Sequence, residues 1–163
     1  MKNALILLIA IIAIIGCKQT TPIEGEKFEG EMFLKLIDFG PEIYTYPSKD
    51  GSTLKDLYEN TPETELTEEQ VEGKKHFELL NQNDLLDKRF FNFTEEKSGK
   101  EFVKVFLSET EFVKIKDIEL AKVRDSGRKV EIKFYGKRIN DHIIKCLIIE
   151  KVKKVKGKQQ WKK

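Results

Sequence analysis

The chain has 163 residues, and its 30 lysines and arginines nearly balance its 28 aspartates and glutamates, which gives a formal net charge of +2. This length suits one domain with a hydrophobic core of its own. No stretch of the sequence indicates a second domain, and the sequence contains no internal repeat.

An unbroken apolar run from Ala4 to Ile15 follows a basic start at Lys2. In a helix that rises about 1.5 Å per residue, the run would be about 20 Å long, whereas the apolar core of a bilayer is about 30 Å thick. A stable transmembrane helix is therefore not predicted. A basic start, a short apolar run and a small residue at its end are typical of a secretory signal peptide.

The apolar run ends in Ile14-Ile15-Gly16-Cys17. This sequence resembles the lipobox of bacterial lipoproteins, in which a small residue precedes an invariant cysteine. Ile14 stands where that family usually has Leu, and Ile15 stands where it usually has a small residue. The resemblance covers only the first 17 residues, and it implies cleavage between Gly16 and Cys17 and a diacylglycerol on the Cys17 sulfur. Lys18, where an Asp would imply retention at the inner membrane, implies the outer membrane.

The resemblance divides the chain into three parts. Residues 1–16 are predicted to be a signal peptide, residues 17–27 a lipidated tether and residues 28–163 a single globular domain. The tether is polar and contains Pro22 and Gly25, which is typical of a flexible connection. Removing the signal peptide takes away one lysine and no acidic residue, so the mature protein is nearly neutral in side-chain charge.

Cys146 is the second of the two cysteines. If Cys17 carries lipid, Cys146 has no partner for an intramolecular disulfide. It lies in the apolar stretch Ile143-Ile144-Lys145-Cys146-Leu147-Ile148-Ile149. Because a free cysteine among apolar residues is usually buried, we expect a structural thiol here.

The first elements of the globular part are predicted from local patterns. A strand is expected from Glu31 to Phe39, ended by Gly40-Pro41, and a short helix from Ser52 to Tyr58. Thr67-Glu68-Glu69-Gln70 has the pattern of a capping box, in which the Thr67 side chain accepts a hydrogen bond from the Gln70 backbone and Gln70 bonds back. It predicts the start of a helix.

A hairpin and a second capped helix follow. The segments from Arg89 to Thr94 and from Glu101 to Leu107 are predicted strands, and the short polar stretch between them predicts that they pair. Ser108-Glu109-Thr110-Glu111 repeats the capping-box pattern. Apolar residues at helical spacing then predict a helix that continues through Ile118.

The last two strands have the clearest apolar patterns. The segment from Lys129 to Tyr135 alternates between polar and apolar residues, so one side of it is expected to face a core. Its inward residues are predicted to be Val130, Ile132 and Phe134. A turn is expected from Gly136 to Asp141, and a long strand from His142 to about Val155, whose apolar start predicts a central position in the sheet.

Five strands with a helix between the third and the fourth resemble an OB-fold in topology. The expected fold is α+β: a mainly antiparallel, five-stranded OB-like barrel or curved sheet, with a helical insertion after the first strand and one helix between strands three and four. The alternative is a curved sheet packed on a helix, as in cystatins or nuclear transport factors. Those folds place their main helices before the sheet, which disagrees with the predicted early strand.

Few residues suit catalysis or metal binding. A zinc site needs three or four converging ligands, and the mature chain offers only His76, His142 and Cys146 besides its acidic residues. No Gly-x-Ser-x-Gly motif, no cysteine beside a plausible base and no glycine-rich phosphate loop is present, and Ser126 is predicted to lie in a turn. We therefore expect no metal, no cofactor and no enzymatic activity.

Two kinds of binding remain open. The first is a protein or peptide partner that contacts exposed aromatic residues, for which Tyr44, Tyr46 and Phe106 are candidates. The second is an anionic lipid or polysaccharide that contacts a basic patch. The lysines of this patch are Lys151, Lys153, Lys154, Lys156, Lys158, Lys162 and Lys163. A solvated strand edge that discourages aggregation is the structural interpretation of the same lysines.

The sequence thus predicts a lipid-anchored protein of the bacterial cell envelope, periplasmic or surface-facing. Its small non-catalytic domain is expected to bind a protein or an envelope component. A module that binds a small ligand or an anionic polymer, or an uncharacterised hydrolase, is the alternative. Nucleic acid is not expected as a partner, because it is scarce outside the cytoplasm.

Overall fold

A computed structural model describes residues 24–33, 43–95 and 102–156. The predicted signal peptide and most of the tether, including Gly16 and Cys17, lie outside the described residues. So do the last three lysines of the predicted basic patch, the end of the predicted first strand and the turn of the predicted hairpin.

The described residues form five strands and four short or medium-length helices. The strands are β1 (Glu26–Phe33), β2 (Arg89–Glu95), β3 (Val103–Leu107), β4 (Arg128–Asn140) and β5 (Ile143–Lys156). The helices are α1 (Leu54–Asn60), α2 (Glu68–Gln82), α3 (Glu109–Val113) and α4 (Leu120–Asp125), with 3-10 turns at Ile43–Thr45 and Glu63–Glu65.

The strands close into a barrel in the order β1-β2-β3-β5-β4, and β4 pairs back with β1. Four of these pairings are antiparallel, and the pairing of β3 with β5 is parallel, with Lys104 opposite Ile143. The helical insertion lies between β1 and β2, and α3 and α4 lie between β3 and β4. The predicted α+β, OB-like barrel is therefore confirmed, with a mixed rather than a purely antiparallel sheet.

The first strand begins earlier than predicted. β1 starts at Glu26 rather than at Glu31, so the last residues of the predicted tether belong to the barrel. Phe28 and Met32 point into the core, and Gly30 lies between them on the same side. The inward-facing residues of β1 are thus Phe28, Gly30 and Met32. The prediction missed the start of this strand, because the glycine weakens the apolar alternation.

The fourth strand continues where a turn was predicted. β4 passes through Gly136 and ends at Asn140, so only Asp141 and His142 form the turn to β5. A Cβ atom at Gly136 would lie 2.8 Å from Ile144 Cγ2 and 2.9 Å from the Lys145 carbonyl oxygen. The strand register also shifts between Tyr135 and Gly136. Glycine is required here because β5 passes too close for a side chain, at a β-bulge rather than at a turn.

Only one of the two predicted capping boxes is complete. At the start of α2, the Gln70 backbone N–H donates to Thr67 Oγ1 at 3.3 Å and the Thr67 N–H donates to Gln70 Oε1 at 2.8 Å. At the start of α3, Ser108 Oγ accepts from the Glu111 N–H, also at 3.3 Å. The Glu111 carboxylate does not bond back to Ser108, because it accepts a hydrogen bond from the Ile149 N–H on β5 at 2.6 Å.

The helix predicted to continue through Ile118 ends five residues earlier, and a second helix follows beyond the predicted span. α3 ends at Val113, a turn follows, and α4 begins at Leu120. Ile115 in the turn is fully buried in the barrel core, and Leu120 and Val123 of α4 are buried with it. With the helix broken between Val113 and Leu120, Ile115, Leu120 and Val123 all pack in the same core cluster.

Candidate functional site

OB-folds bind oligonucleotides and oligosaccharides on the outer side of β2 and β3, so this side is the first candidate for a binding site. Phe90 and Phe106 lie opposite each other on this side, with ring centroids 5.3 Å apart. Phe106 is 1% exposed and packs in one cluster with Tyr44, Tyr58 and Phe77 of the helical insertion. The chain's own helices therefore cover the surface that this topology usually leaves open.

The cover is closely packed. The rings of Tyr44, Tyr58 and Phe77 lie within 6.0 Å of one another, centroid to centroid. α1 and α2 approach at Gly73, where a Cβ atom would collide with the Tyr58 hydroxyl. Of the aromatic residues predicted as a possible exposed surface, Tyr44 and Phe106 are buried, and Tyr46 alone is exposed, at 55%. The structure does not bring the three together as a surface.

The outer side of β1, β4 and β5 carries charged residues that remain accessible to solvent. Its acidic residues are held by lysines of β1 and β4. The ion pairs are Glu29 with Lys133 at 2.8 Å, Glu31 and Glu131 each with Lys129 at 3.5 Å, and Glu150 with Lys27 at 3.0 Å. Each exposed pair contributes little to stability, but each of these four acidic residues lies within 3.5 Å of a lysine ammonium, and Lys129 is shared by two of them.

The second half of β5 carries a different pattern. Lys151, Lys153, Lys154 and Lys156 are all exposed, and Arg128 of β4 lies directly opposite Lys156. None of these five cations forms an ion pair with another residue in the described part of the chain. We call this set the lysine edge. It contains four of the seven lysines predicted as a basic patch, and it adds Arg128, which the sequence did not single out.

The lysine edge is also an open edge of the sheet. β3 pairs with β5 only as far as Lys145, whereas β4 pairs with β5 as far as Lys156. Within the described residues, the segment 150–156 therefore has a strand on one side only. Its backbone groups on the other side have no strand partner among the described residues, and exposed lysines on such an edge oppose pairing with another chain.

A cleft of about 520 Å³ lies between α4 and the neighbouring ends of β1 and β4. Its walls are mainly apolar and its rim is charged. The apolar residues are Met32, Phe33, Leu120, Val123 and Val130, and the charged residues are Glu31, Arg124, Arg128 and Lys129. Arg128 thus belongs both to this cleft and to the lysine edge.

The residues considered for metal binding lie apart from one another in the fold. His76 lies in α2 with its ring 6.2 Å from that of Tyr44, His142 is exposed in the turn before β5, and Cys146 is buried in the barrel. Among residues 24–33, 43–95 and 102–156, no group of three or more His, Cys, Asp or Glu side chains could hold a metal ion. Ser126 lies in a turn, as predicted, and its hydroxyl donates to the Val123 carbonyl at 2.6 Å.

Cys146 is buried, as predicted, and its thiol is not activated. The pKa of the Cys146 thiol is raised to about 12, first by removal from water and then by the negative charge of Glu111, which outweighs the opposite effect of the Lys114 ammonium. Because the thiolate is the reactive form, this environment suppresses nucleophilic chemistry.

We therefore expect thiol reagents to modify Cys146 of the Cys17→Ser chain slowly in native buffer at pH 8, and rapidly once denaturant is added. The physical reason is twofold, since the reagent must reach a buried sulfur and the folded protein disfavours the thiolate. Mass spectrometry against time measures both rates. Rapid labelling without denaturant would contradict the buried position of Cys146.

No protein-family model, curated protein or solved structure matches this chain significantly. The resemblance to OB-folds therefore rests on the strand order and the position of the helices. In the part of the chain that the structure describes, no helix has both the length and the apolar character needed to cross a bilayer.

Proposed function

We propose that this chain is a lipid-anchored protein of the bacterial cell envelope, and that its barrel is a non-catalytic domain that binds an envelope component. The lipobox-like Ile14-Ile15-Gly16-Cys17 supports the anchor. Because β1 begins at Glu26, the connection from Cys17 to the barrel spans at most about 30 Å even when fully extended. An anchored domain would thus act close to the membrane that holds it.

The observation that carries the binding role is the contrast between the two outer sides of the barrel. The side that OB-folds usually present to ligands is covered by α1 and α2. The side formed by β1, β4 and β5 is accessible and ends in the lysine edge, whose cations have no acidic partner in the described residues. A binding role for this barrel is therefore best supported on the second side, and by a ligand that is negatively charged.

A second candidate function is the binding of a small amphiphile in the cleft beside α4. The cleft has the size of common ligand sites, and its apolar walls with Arg124 and Arg128 at the rim suit an apolar body with an acidic head. Replacing Arg124, which is exposed and lines the cleft but does not belong to the lysine edge, by Gln would weaken binding of this ligand and leave the lysine edge intact. The two candidates can therefore be separated with one variant.

Replacing Cys17 by Ser tests the anchor. We expect the Cys17→Ser chain to accumulate as uncleaved precursor or as protein released from the membrane, because the lipid is attached through the sulfur and cleavage follows lipidation in lipoproteins. Fractionation of cells, together with the mass of the purified chain, measures both the anchoring and the cleavage after Gly16.

Cys146→Ser is the matched control, since it also removes one thiol but lies in the barrel. It should leave the acylated mass and the membrane fraction unchanged. A Cys17→Ser chain that is still cleaved, acylated and membrane-bound would rule out the lipid anchor at Cys17.

A further inference from the structure

We propose that the lysine edge binds a linear polyanion that carries repeated phosphate groups, and that the polymer lies along the open side of β5. This inference rests on the proposed binding role of the barrel. It does not depend on the lipid anchor, because every residue that carries it lies in the barrel itself.

Cations of the lysine edge face other cations across the β4–β5 pair. Lys156 faces Arg128 across the β4–β5 pair, and Lys151 faces Lys133, whose ammonium is already paired with Glu29. Like charges placed directly opposite each other on neighbouring strands destabilise the pairing. Lys153 faces Glu131, but that carboxylate is held by Lys129. A bound polyanion would supply the missing negative charge and release its own counterions, which favours binding.

The lysines of the edge lie on both faces of β5. Alternate residues of a strand are about 7 Å apart and point to the same side. Lys151 and Lys153 face outward with Lys133 and Glu131. Lys154 and Lys156 point to the opposite face with Val130 and Arg128, where Lys154 and Arg128 line a pocket with Asp117 and Glu119. Two rows of ammonium groups therefore flank one open backbone edge. Phosphate groups bind well to lysines and to backbone N–H donors together, and a ligand along this edge meets both.

The charges on the outer side of the barrel favour a polymer over a flat membrane surface. The outer side that carries Lys151 and Lys153 also carries Glu29, Glu31, Glu131 and Glu150, which are partly or well exposed. A planar anionic surface would meet these carboxylates as well as the lysines, whereas a chain can follow the edge and avoid them. Glu26, the first residue of β1 after the tether, lies level with Cys146 of β5, because both pair with Gly136. The end of the lysine edge at Lys156 therefore lies about 30 Å along β5 from the level at which the tether joins the barrel.

The experiment measures binding of the full mature chain, held in neutral detergent, to fluorescent long-chain inorganic polyphosphate. The edge variant carries Lys151→Gln, Lys153→Gln, Lys154→Gln and Lys156→Gln. The matched control replaces four exposed lysines elsewhere by Gln, namely Lys49, Lys75, Lys116 and Lys137. We expect the edge variant to bind at least about tenfold more weakly than the control, and the slope of log affinity against log salt to fall in magnitude by about three.

The proposal would be overturned if the edge variant bound polyphosphate as tightly as the unmodified chain does. It would also be overturned if the control variant lost as much affinity as the edge variant, because that would show attraction by net charge alone. Edge-dependent binding to vesicles of anionic phospholipid without binding to polyphosphate would also overturn it, in favour of a membrane surface. Thermal unfolding checks that both variants are folded. Since the anchor is measured separately with Cys17→Ser, a failure here with anchoring intact refutes the polyanion site and leaves the anchor standing.

Discussion

Phe134→Ala is expected to lower the free energy of unfolding by about 3–5 kcal/mol, the usual cost of removing a fully buried phenylalanine side chain. Phe134 is 0% exposed and lies at the centre of the barrel core. Its ring stacks on Phe28 at 5.1 Å and meets Phe93 edge-on at 5.2 Å and Phe91 at 6.1 Å, centroid to centroid. Because these partners come from β1 and β2, the cavity would loosen three strands at once.

Urea unfolding followed by fluorescence or circular dichroism measures this loss. Tyr46→Ala is the matched control, because it also removes an aromatic side chain but from an exposed position. We expect the control to change the free energy of unfolding by less than about 0.5 kcal/mol. A loss below about 1 kcal/mol for Phe134→Ala would show that the barrel interior is not centred on this residue.

The position of Phe134 was predictable because a half-buried strand repeats every two residues. Val130, Ile132 and Phe134 alternate with charged residues, and all three are buried, as predicted. Gly136 was not predictable in the same way. Glycine serves both turns and close strand contacts, and only the distance to Ile144, a residue further along the chain, shows which of these applies.

The candidate site was predictable in part. The run of lysines in β5 is visible in the sequence, and so is the absence of acidic residues after Glu150. What makes the lysines available to a ligand depends on strand register. The acidic residues of β1 and β4 face lysines of those strands, and Arg128 arrives beside Lys156. No local pattern records either fact, because the pairing partners are distant in sequence.

The aromatic candidates failed for a related reason. Tyr44 and Phe106 lie more than sixty positions apart in the sequence. Tyr44 lies in a turn-rich segment and Phe106 in a predicted strand, so neither segment alone indicates that the two side chains pack together. They are buried together because the insertion between β1 and β2 folds back over β2 and β3. The sequence predicted a helical insertion, but nothing in its local pattern indicated which side of the barrel it would cover.

Glu111 shows how a tertiary contact replaces a local one. Its position three residues after Ser108 predicts that its side chain bonds back to the Ser108 backbone. Instead, the carboxylate is 5% exposed, accepts from the Ile149 N–H at 2.6 Å and meets Lys114 Nζ at 2.7 Å. Beyond Lys145, no strand of the described residues pairs with β5 on this side, and Glu111 supplies an acceptor that a paired strand would have supplied.

We therefore expect Glu111→Ala to lower the free energy of unfolding by about 2–3 kcal/mol. The substitution leaves the buried Ile149 N–H without an acceptor and removes a hydrogen bond to a charged group, and each loss is of order 1–3 kcal/mol with partial overlap between them. The ion pair with Lys114 adds little, because that side chain is 39% exposed. Urea unfolding measures the total.

Glu111→Gln should retain most of this stability, because its amide oxygen can still accept from the Ile149 N–H. Glu109→Ala is the matched control on the same helix, since the Glu109 side chain is 76% exposed and its contact with Arg89 is long, at 3.9 Å.

Cys146 reports the local effect, because it lies beside Glu111 in the barrel. We expect Glu111→Ala to speed its labelling in native buffer, and Glu111→Gln and Glu109→Ala to leave it slow. If Glu111→Ala and Glu109→Ala lower stability equally, Glu111 does not hold α3 against β5, and the contact with Ile149 contributes nothing beyond helix formation.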